Sequence, residues 1–284
     1  MTIKEYPIKM VVCDLDGTLL YSSSKVSEAT KKAIQSLRQS GVLFGVCSGR
    51  SAVALQKMLK VWGIDQDVDF VLGFNGGMYW DPKTGIFEED FLLEPETIPF
   101  IFEACHGFGL QYAEYQGHEM LSTMGGPISR RMAQRNKLEF HIVKKEALIR
   151  PTLKLMAFGM PWSIRRWLES DRKERLEGIA RVFRSGPFLL EFVHPGLSKL
   201  EGVKKAAQKF GVELGEVVSF GNDNNDLEMI EGTFGVAMNN ALDEVKKVAC
   251  AITDSNRNDG VAKFIENYIL PINASALQEH ESTT

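Results

Sequence analysis

The chain has 284 residues, enough for one large domain or two modest ones with a substantial core. Hydrophobic residues make up 44% and charged residues 25%, ordinary globular values. A formal net charge of −4, with no basic run, argues against nucleic acid or an anionic membrane surface as partners. The N-terminus MTIKEYPIKM has neither a long apolar segment nor a small-residue cleavage site. No apolar run approaches the ~18–20 residues of a membrane span, so a cytoplasmic protein without membrane contact, monomeric or weakly dimeric, is expected. Cys13, Cys47, Cys105 and Cys250 form no CxxC pair, and three of them lie in apolar runs; reduced core thiols are expected.

In chain order, the apolar run Ile8–Cys13 reads as a strand covered on both faces. Ser27 offers a cap to a helix carrying Ala33, Ile34 and Leu37 and stopped at Gly41. A second strand over Val42–Cys47, a helix over Ser51–Trp62 and a third strand over Asp69–Phe74 follow, the last ending in Asn75-Gly76-Gly77. The alternation returns with a helix over Lys199–Phe210, strands at Val217–Phe220, Phe234–Met238 and Cys250–Thr253, and a last helix over Gly260–Ile269. Strand and helix in alternation imply an α/β, Rossmann-like parallel sheet with right-handed crossovers.

Between these halves the pattern changes to hairpin-like turns, beginning with Asp81-Pro82-Lys83-Thr84-Gly85, scattered aromatics and longer amphipathic stretches. The division expected is a core of residues 1–81 and 195–270, an inserted α+β domain of residues 82–194, and a polar, disordered tail of residues 271–284. Phe183, Phe188 and Phe192 read as core; Arg130, Arg131 and Arg135 read as a solvated helix face; His194 reads as structural.

In open parallel sheets, ligands bind beyond the carboxyl ends of strands, where strand order reverses. Four polar clusters follow strands. Asp14-Leu15-Asp16-Gly17-Thr18-Leu19 places two carboxylates two residues apart, on one side of an extended chain and about 6–7 Å from each other. Ser48 and Gly49, followed by Arg50, offer a hydroxyl and backbone N–H groups to a phosphoryl oxygen. Lys199 could neutralise an attacking carboxylate and a transferring phosphoryl group. Gly221-Asn222-Asp223-Asn224-Asn225-Asp226 is an oxygen-rich loop of the kind Mg²⁺ uses.

These motifs, in this order over nearly the whole chain to Tyr268, resemble haloacid dehalogenase superfamily phosphatases, specifically the Cof-type group of subclass IIB. The resemblance implies an Mg²⁺-dependent phosphatase acting on a small phosphorylated metabolite, with Asp14 as nucleophile and Asp16 as general acid–base. Ser48 and Lys199 would join them in catalysis, while Gly49, Asn75, Gly76 and Asn225 would bind substrate. Asp14, Asp16, Asn222, Asp223 and Asp226 are the candidate metal ligands. The inserted domain would be a cap that roofs the site and sets specificity, with His118 and Glu119 among its candidates. Two departures from the family pattern stand out: Leu200 follows the lysine where Gly is common, and Asn222 occupies the usual metal-binding Asp position, leaving Asn222 and Asp223 as alternatives. A phosphomutase of the same fold, or a catalytically weak phospho-ligand binder, are the other readings. No GxGxxG follows the first strand, which disfavours a dinucleotide reductase.

Overall fold

Continuous apolar runs become strands buried on both faces. In the computed structural model, which describes residues 7–22 and 25–281 with side chains as far as residue 275, the first half contains β1 (Met10–Cys13), α1 (Glu28–Gln39), β2 (Leu43–Cys47), α2 (Ala52–Trp62), β3 (Phe70–Gly73), β4 (Met78–Trp80) and β5 (Phe87–Glu89). Every residue of β1 and β3 is buried. The Ser27 hydroxyl caps α1 by accepting the Thr30 N–H at 3.1 Å, and the helix buries Ala33, Ile34 and Leu37 at helical spacing.

The inserted segment folds as α3 (Ile98–Ala104), β6 (Gln111–Gln116), β7 (Glu119–Ser122), α4 (Pro127–Arg135), β8 (Glu139–Ile142), β9 (Leu155–Phe158), α5 (Pro161–Leu168), β10 (Arg181–Arg184) and β11 (Leu189–Val193). The alternation then resumes with α6 (Lys199–Phe210), β12 (Val217–Gly221), α7 (Leu227–Gly232), β13 (Phe234–Met238), α8 (Asp243–Val248), β14 (Ala251–Thr253), α9 (Gly260–Phe264), a π-helical turn at Ile265–Ile269, and α10 (Leu270–Glu281).

Two compact units result: one runs to Glu88 and resumes at Ser198, and the other is Glu89–Leu197. The sheet of the first unit has the order β14-β13-β12-β1-β2-β3-β4-β5. All pairings from β14 to β3 are parallel, whereas β4 runs antiparallel to β3. Strand order therefore reverses between β1 and β12, the crevice where a doubly wound sheet binds its ligand. Register levels the tips: Cys13 lies opposite both Phe220 and Val46, so Asp14, Gly221 and Cys47 leave the sheet side by side.

Two expectations change here. The Asp81–Gly85 turn does not open the inserted unit; it joins β4 to β5 at the edge of the first sheet, where the Trp80 and Phe87 rings stack at 5.8 Å. The segment after Ile269 is helical as far as Glu281 rather than disordered, and residues 282–284 lie outside the described residues. Its anchor is Asn273, whose amide accepts the Ile8 N–H at 3.0 Å and donates to the Ile8 carbonyl at 2.7 Å. Burial of a side chain bonded to both backbone groups of a strand's approach offsets the polar composition that suggested disorder.

In the inserted unit the sheet order is β10-β11-β9-β6-β7-β8, antiparallel except for β7 and β8. One cluster packs Ile98, Ile101, Phe102, Ile164 and Trp167 against Leu155, Leu190 and Phe192; another packs Ala133 against Met120 and Met156. Phe192 is core as expected, but Phe183 and Phe188 are only half-buried, and Arg181 lies over the Phe183 ring at 4.9 Å. The reason is position: Phe183 sits on the sheet's edge strand β10, and Phe188 precedes β11. Arg130, Arg131 and Arg135 are exposed on α4, and His194 accepts the Gly196 N–H at 3.1 Å. Among the described residues, no helix is long and apolar enough to cross a membrane.

Candidate active site

The Asp14 N–H is bonded to the Phe220 carbonyl at 3.0 Å, so the residue still follows the sheet ladder while its carboxylate stands at the sheet's edge. Lys199 begins α6, which the Ser198 hydroxyl caps by accepting the Glu201 N–H at 3.3 Å. The lysine ammonium bridges Asp14 Oδ1 and Asp226 Oδ1, each at 2.6 Å. Lys199 and Asp226 are fully buried, and Asp14 is 7% exposed.

A close backbone approach delivers that lysine. A Cβ at Gly202 would lie 2.5 Å from the Gly76 Cα, and one at Gly76, where φ is +98°, would lie 2.6 Å from the Ser198 carbonyl oxygen. Two glycines facing each other let the first turn of α6 rest on the loop after β3. This also accounts for Leu200: the glycine contact is made at Gly202, and Leu200 packs over Gly232, where a Cβ would lie 2.6 Å from its methyl groups.

Two carboxylates share one ammonium in a water-poor site, leaving one negative charge in excess. Burial pushes the Asp14 carboxyl up from its ordinary 3.8 to about 7; Lys199 opposes the rise and Asp226 adds to it. Burial acts to lower the pKa of the Lys199 ammonium, but Asp14 and Asp226 outweigh it and hold the group above the usual lysine range. The neighbouring thiols are inert: burial raises Cys13 well above its ordinary value and Cys47 to about 12. Cys250, by contrast, is exposed rather than core, because it precedes β14 at the sheet's edge.

Ser48 is buried, accepts the Arg50 N–H at 3.3 Å and does not cap α2; Ser51 does, taking the Ala54 N–H at 3.1 Å. Asn75, in the left-handed region at φ 58°, bonds its N–H to the Ser48 carbonyl at 2.9 Å and accepts the Asn225 amide at 3.1 Å. A Cβ at Gly49 would lie 3.3 Å from the Asn75 side chain. Ser48, Gly49, Asn75, Gly76 and Asn225 thus form one connected wall beside the β1 and β12 tips.

The acidic loop divides its work differently from the sequence expectation. Asp226 Oδ2 accepts the N–H groups of Asn222 and Asp223 at 2.7 and 2.9 Å, while Oδ1 takes Lys199, so this carboxylate ties the loop together instead of standing open to a metal. Asp223 is exposed and turns back to accept the Asn224 N–H at 2.7 Å. Asn222 is the member that meets the first motif: its Oδ1 accepts the Thr18 hydroxyl at 2.7 Å, and a Cβ at Gly17 would lie 2.8 Å from its amide nitrogen. Asp16 is not with Asp14 and Lys199 in this ion network; its half-exposed carboxylate is held by Arg50.

Two residues unassigned from sequence brace the first motif. Asn240 donates to the Gly17 carbonyl at 2.8 Å, and Asn256 donates to the Leu20 carbonyl at 2.7 Å. Asn240 stands just past the tip of β13, so the rule of polar residues after apolar strands would have found it. A separate group, Glu119, Glu139 and His141, brings three ligand-type side chains together at the exposed edge of the inserted sheet. Exposed acidic groups of this kind are common without a bound ion.

Comparison with known proteins agrees with this geometry. The family model of haloacid dehalogenase-like hydrolases matches residues 11–265. YxeH of Bacillus subtilis (strain 168) is 30% identical over 280 residues, covering 92% of this chain and 98% of YxeH. The 5-amino-6-(5-phospho-D-ribitylamino)uracil phosphatase YcsE of the same organism is 27% identical over 268 residues, covering 94% and 98%. A crystal structure of a haloacid dehalogenase-like hydrolase from Bacteroides thetaiotaomicron superposes with a TM-score of 0.80 at 29% identity, covering 92% of this chain and 99% of that one. An α/β core with an inserted α+β unit, a carboxylate–lysine–carboxylate bridge at the strand-order reversal, and a match over most of its length identify this chain as a member of the haloacid dehalogenase-like hydrolase family.

Proposed function

We propose that the chain is an Mg²⁺-dependent phosphatase of small phosphorylated metabolites that works through an aspartyl-phosphate on Asp14. The observation that carries the proposal is the Lys199 bridge, with Asp14 and Asp226 each 2.6 Å from one ammonium at the β1–β12 reversal. In the first half-reaction an Asp14 carboxylate oxygen bonds to phosphorus, the ester P–O bond breaks, and Asp16 gives a proton to the departing alcohol oxygen. In the second, water attacks phosphorus, passes a proton to Asp16, and the Asp14–phosphorus bond breaks to release inorganic phosphate. Lys199 holds Asp14 in place and spreads positive charge toward the phosphoryl oxygens, while Ser48 and the Gly49 N–H receive one of them.

The residues present fit a magnesium ion, because the buried bridge carries one uncompensated negative charge and Asn222 supplies a nearby amide oxygen. Asp14 and Asn222 would hold the ion, which supplies charge neutralisation to the transferring phosphoryl group, while the Asp16 carboxylate is engaged by Arg50. Phosphate monoesters need accelerations up to about 10²¹-fold, so several groups must act together. The likeness to YcsE favours a phosphorylated nucleotide-related metabolite among the candidates, with sugar phosphates as the alternative.

Asp14→Asn is expected to abolish turnover of an aryl phosphate while leaving circular dichroism and cooperative melting intact. Turnover within tenfold of the parent protein would remove Asp14 from the nucleophile's role. A second reading, a phospho-ligand binder with little turnover, is favoured by the neutral Asn222. Magnesium-dependent release of phosphate by the purified protein would dismiss it.

A further inference from the structure

Asp16 and Arg50 stand in a relation that the phosphatase scheme does not use. The Arg50 guanidinium grips both oxygens of Asp16, with Nη2 at 2.7 Å from Oδ1 and Nε at 3.0 Å from Oδ2. The two ends of this pair are unequally held. Arg50 is anchored at its backbone, where its N–H reaches the Ser48 hydroxyl at 3.3 Å and its carbonyl takes the Phe74 N–H at 2.8 Å, and at its head, where Nη1 lies 3.1 Å from the Met58 sulfur. Its side chain is 19% exposed, against 54% for Asp16. Asp16 is followed by Gly17 at φ +90°, a position where the chain can turn freely. The carboxylate is thus the movable partner and the guanidinium the fixed one.

In the fork Asp16 is an ionised acceptor, with no proton to give to a leaving-group oxygen. A phosphoryl group carries more negative charge than a carboxylate and matches the same planar donor pair. The exchange is cheap, since an ion pair this open to solvent contributes little. Ser48, the proposed phosphoryl-oxygen donor, bonds the Arg50 backbone N–H, and Asp16 stands two residues from Asp14, so the pair adjoins the residues proposed to handle the phosphoryl group.

We propose that Arg50 parks Asp16 as a carboxylate in the empty enzyme and releases it by capturing a phosphoryl oxygen, so that arrival of substrate frees Asp16 to take from solvent the proton it then gives to the leaving alcohol. This rests on the role given to Asp16 above, but its test is a binding measurement independent of turnover. Inorganic phosphate must displace Asp16 from Arg50 in order to bind. Asp16→Asn removes the competing charge, and is expected to tighten phosphate binding about 3- to 5-fold when Arg50 is present, as read by titration calorimetry with magnesium in excess.

In the Arg50→Gln background the same Asp16 change is expected to alter phosphate affinity less than twofold, because there is no fork to compete for. An equal gain in both backgrounds would mean that Asp16 acts by bulk charge alone, and would overturn the proposal. Arg50→Lys, which keeps the charge but loses the paired donors, is the second background and guards against misfolding of the Gln variant; the gain is expected to shrink there too, and an undiminished gain counts against the exchange. Retained turnover in Asp14→Asn would sink the nucleophile without touching this cycle, so the two failures are separable.

Discussion

At the scale of single residues, the site is a problem of charge in a dry place. Asp14 titrates at about 7 in the folded protein against an ordinary 3.8, so between those values the folded chain holds a proton that the unfolded chain has lost. The stability tied to that proton is whole below about pH 4 and disappears as pH rises through 7. Asp14→Asn carries no such group and leaves Lys199 paired with Asp226. In magnesium-free buffer the variant should therefore gain on the parent protein as pH rises from 5 to 8, by on the order of 2 kcal/mol, or roughly 4–8 °C of Tm. A melting difference that stays constant from pH 5 to pH 8 would show that the excess charge is not stored on Asp14. Legibility at this scale was uneven. Asp14 could be picked out because chemistry-bearing residues follow apolar strands, whereas Lys199, at a helix start where a lysine is ordinarily a solvated charge, stood out only through its place in the family's motif order. That Asp226 is a clamp and Asn222 the member facing Thr18 depends on which way each side chain turns out of a five-residue loop, and the spacing of Asn and Asp does not encode that.

At the scale of elements, the strand and helix pattern was readable because burial on both faces leaves uninterrupted apolar runs such as Met10–Cys13 and Phe234–Met238. The inserted unit was less so: its sheet mixes antiparallel and parallel pairs, and half-buried Phe183 looks the same in sequence as fully buried Phe192. What no periodicity shows is the contact between α6 and the loop after β3. Alanine is ordinarily favoured over glycine inside a helix by about 1 kcal/mol, so propensity alone predicts that Gly202→Ala stabilises the protein. The geometry reverses the sign, because the new Cβ would fall 2.5 Å from the Gly76 Cα, an immovable backbone atom. Gly202→Ala is expected to cost about 1–3 kcal/mol. By pushing the start of α6 outward it should also lower kcat at least tenfold. A variant that melts higher than the parent, with kcat unchanged, would mean that the approach of the two glycines does not position Lys199.

For the molecule as a whole, the first unit is assembled from sequence segments separated by the entire inserted unit, and β1 must find β12 across that distance. Such non-local pairing closes a long loop before any contact rewards it, so the ends of the unit benefit from fastening. Asn273 is such a fastening, joining the last helix to Ile8 through a donor and an acceptor on one amide. Asn273→Ala leaves a buried N–H and a buried carbonyl unpaired and should cost about 1–3 kcal/mol. Asn273→Asp makes the sharper test, since a carboxylate can accept the Ile8 N–H but has no proton for the Ile8 carbonyl and repels it. At pH 8 that variant should melt no higher than Asn273→Ala. Near pH 4 a protonated carboxyl regains a donor, and part of the loss should return relative to Asn273→Ala. Equal melting of the Asp and Ala variants at both pH values would mean that the paired amide contact is not what secures the C-terminal helix to the sheet.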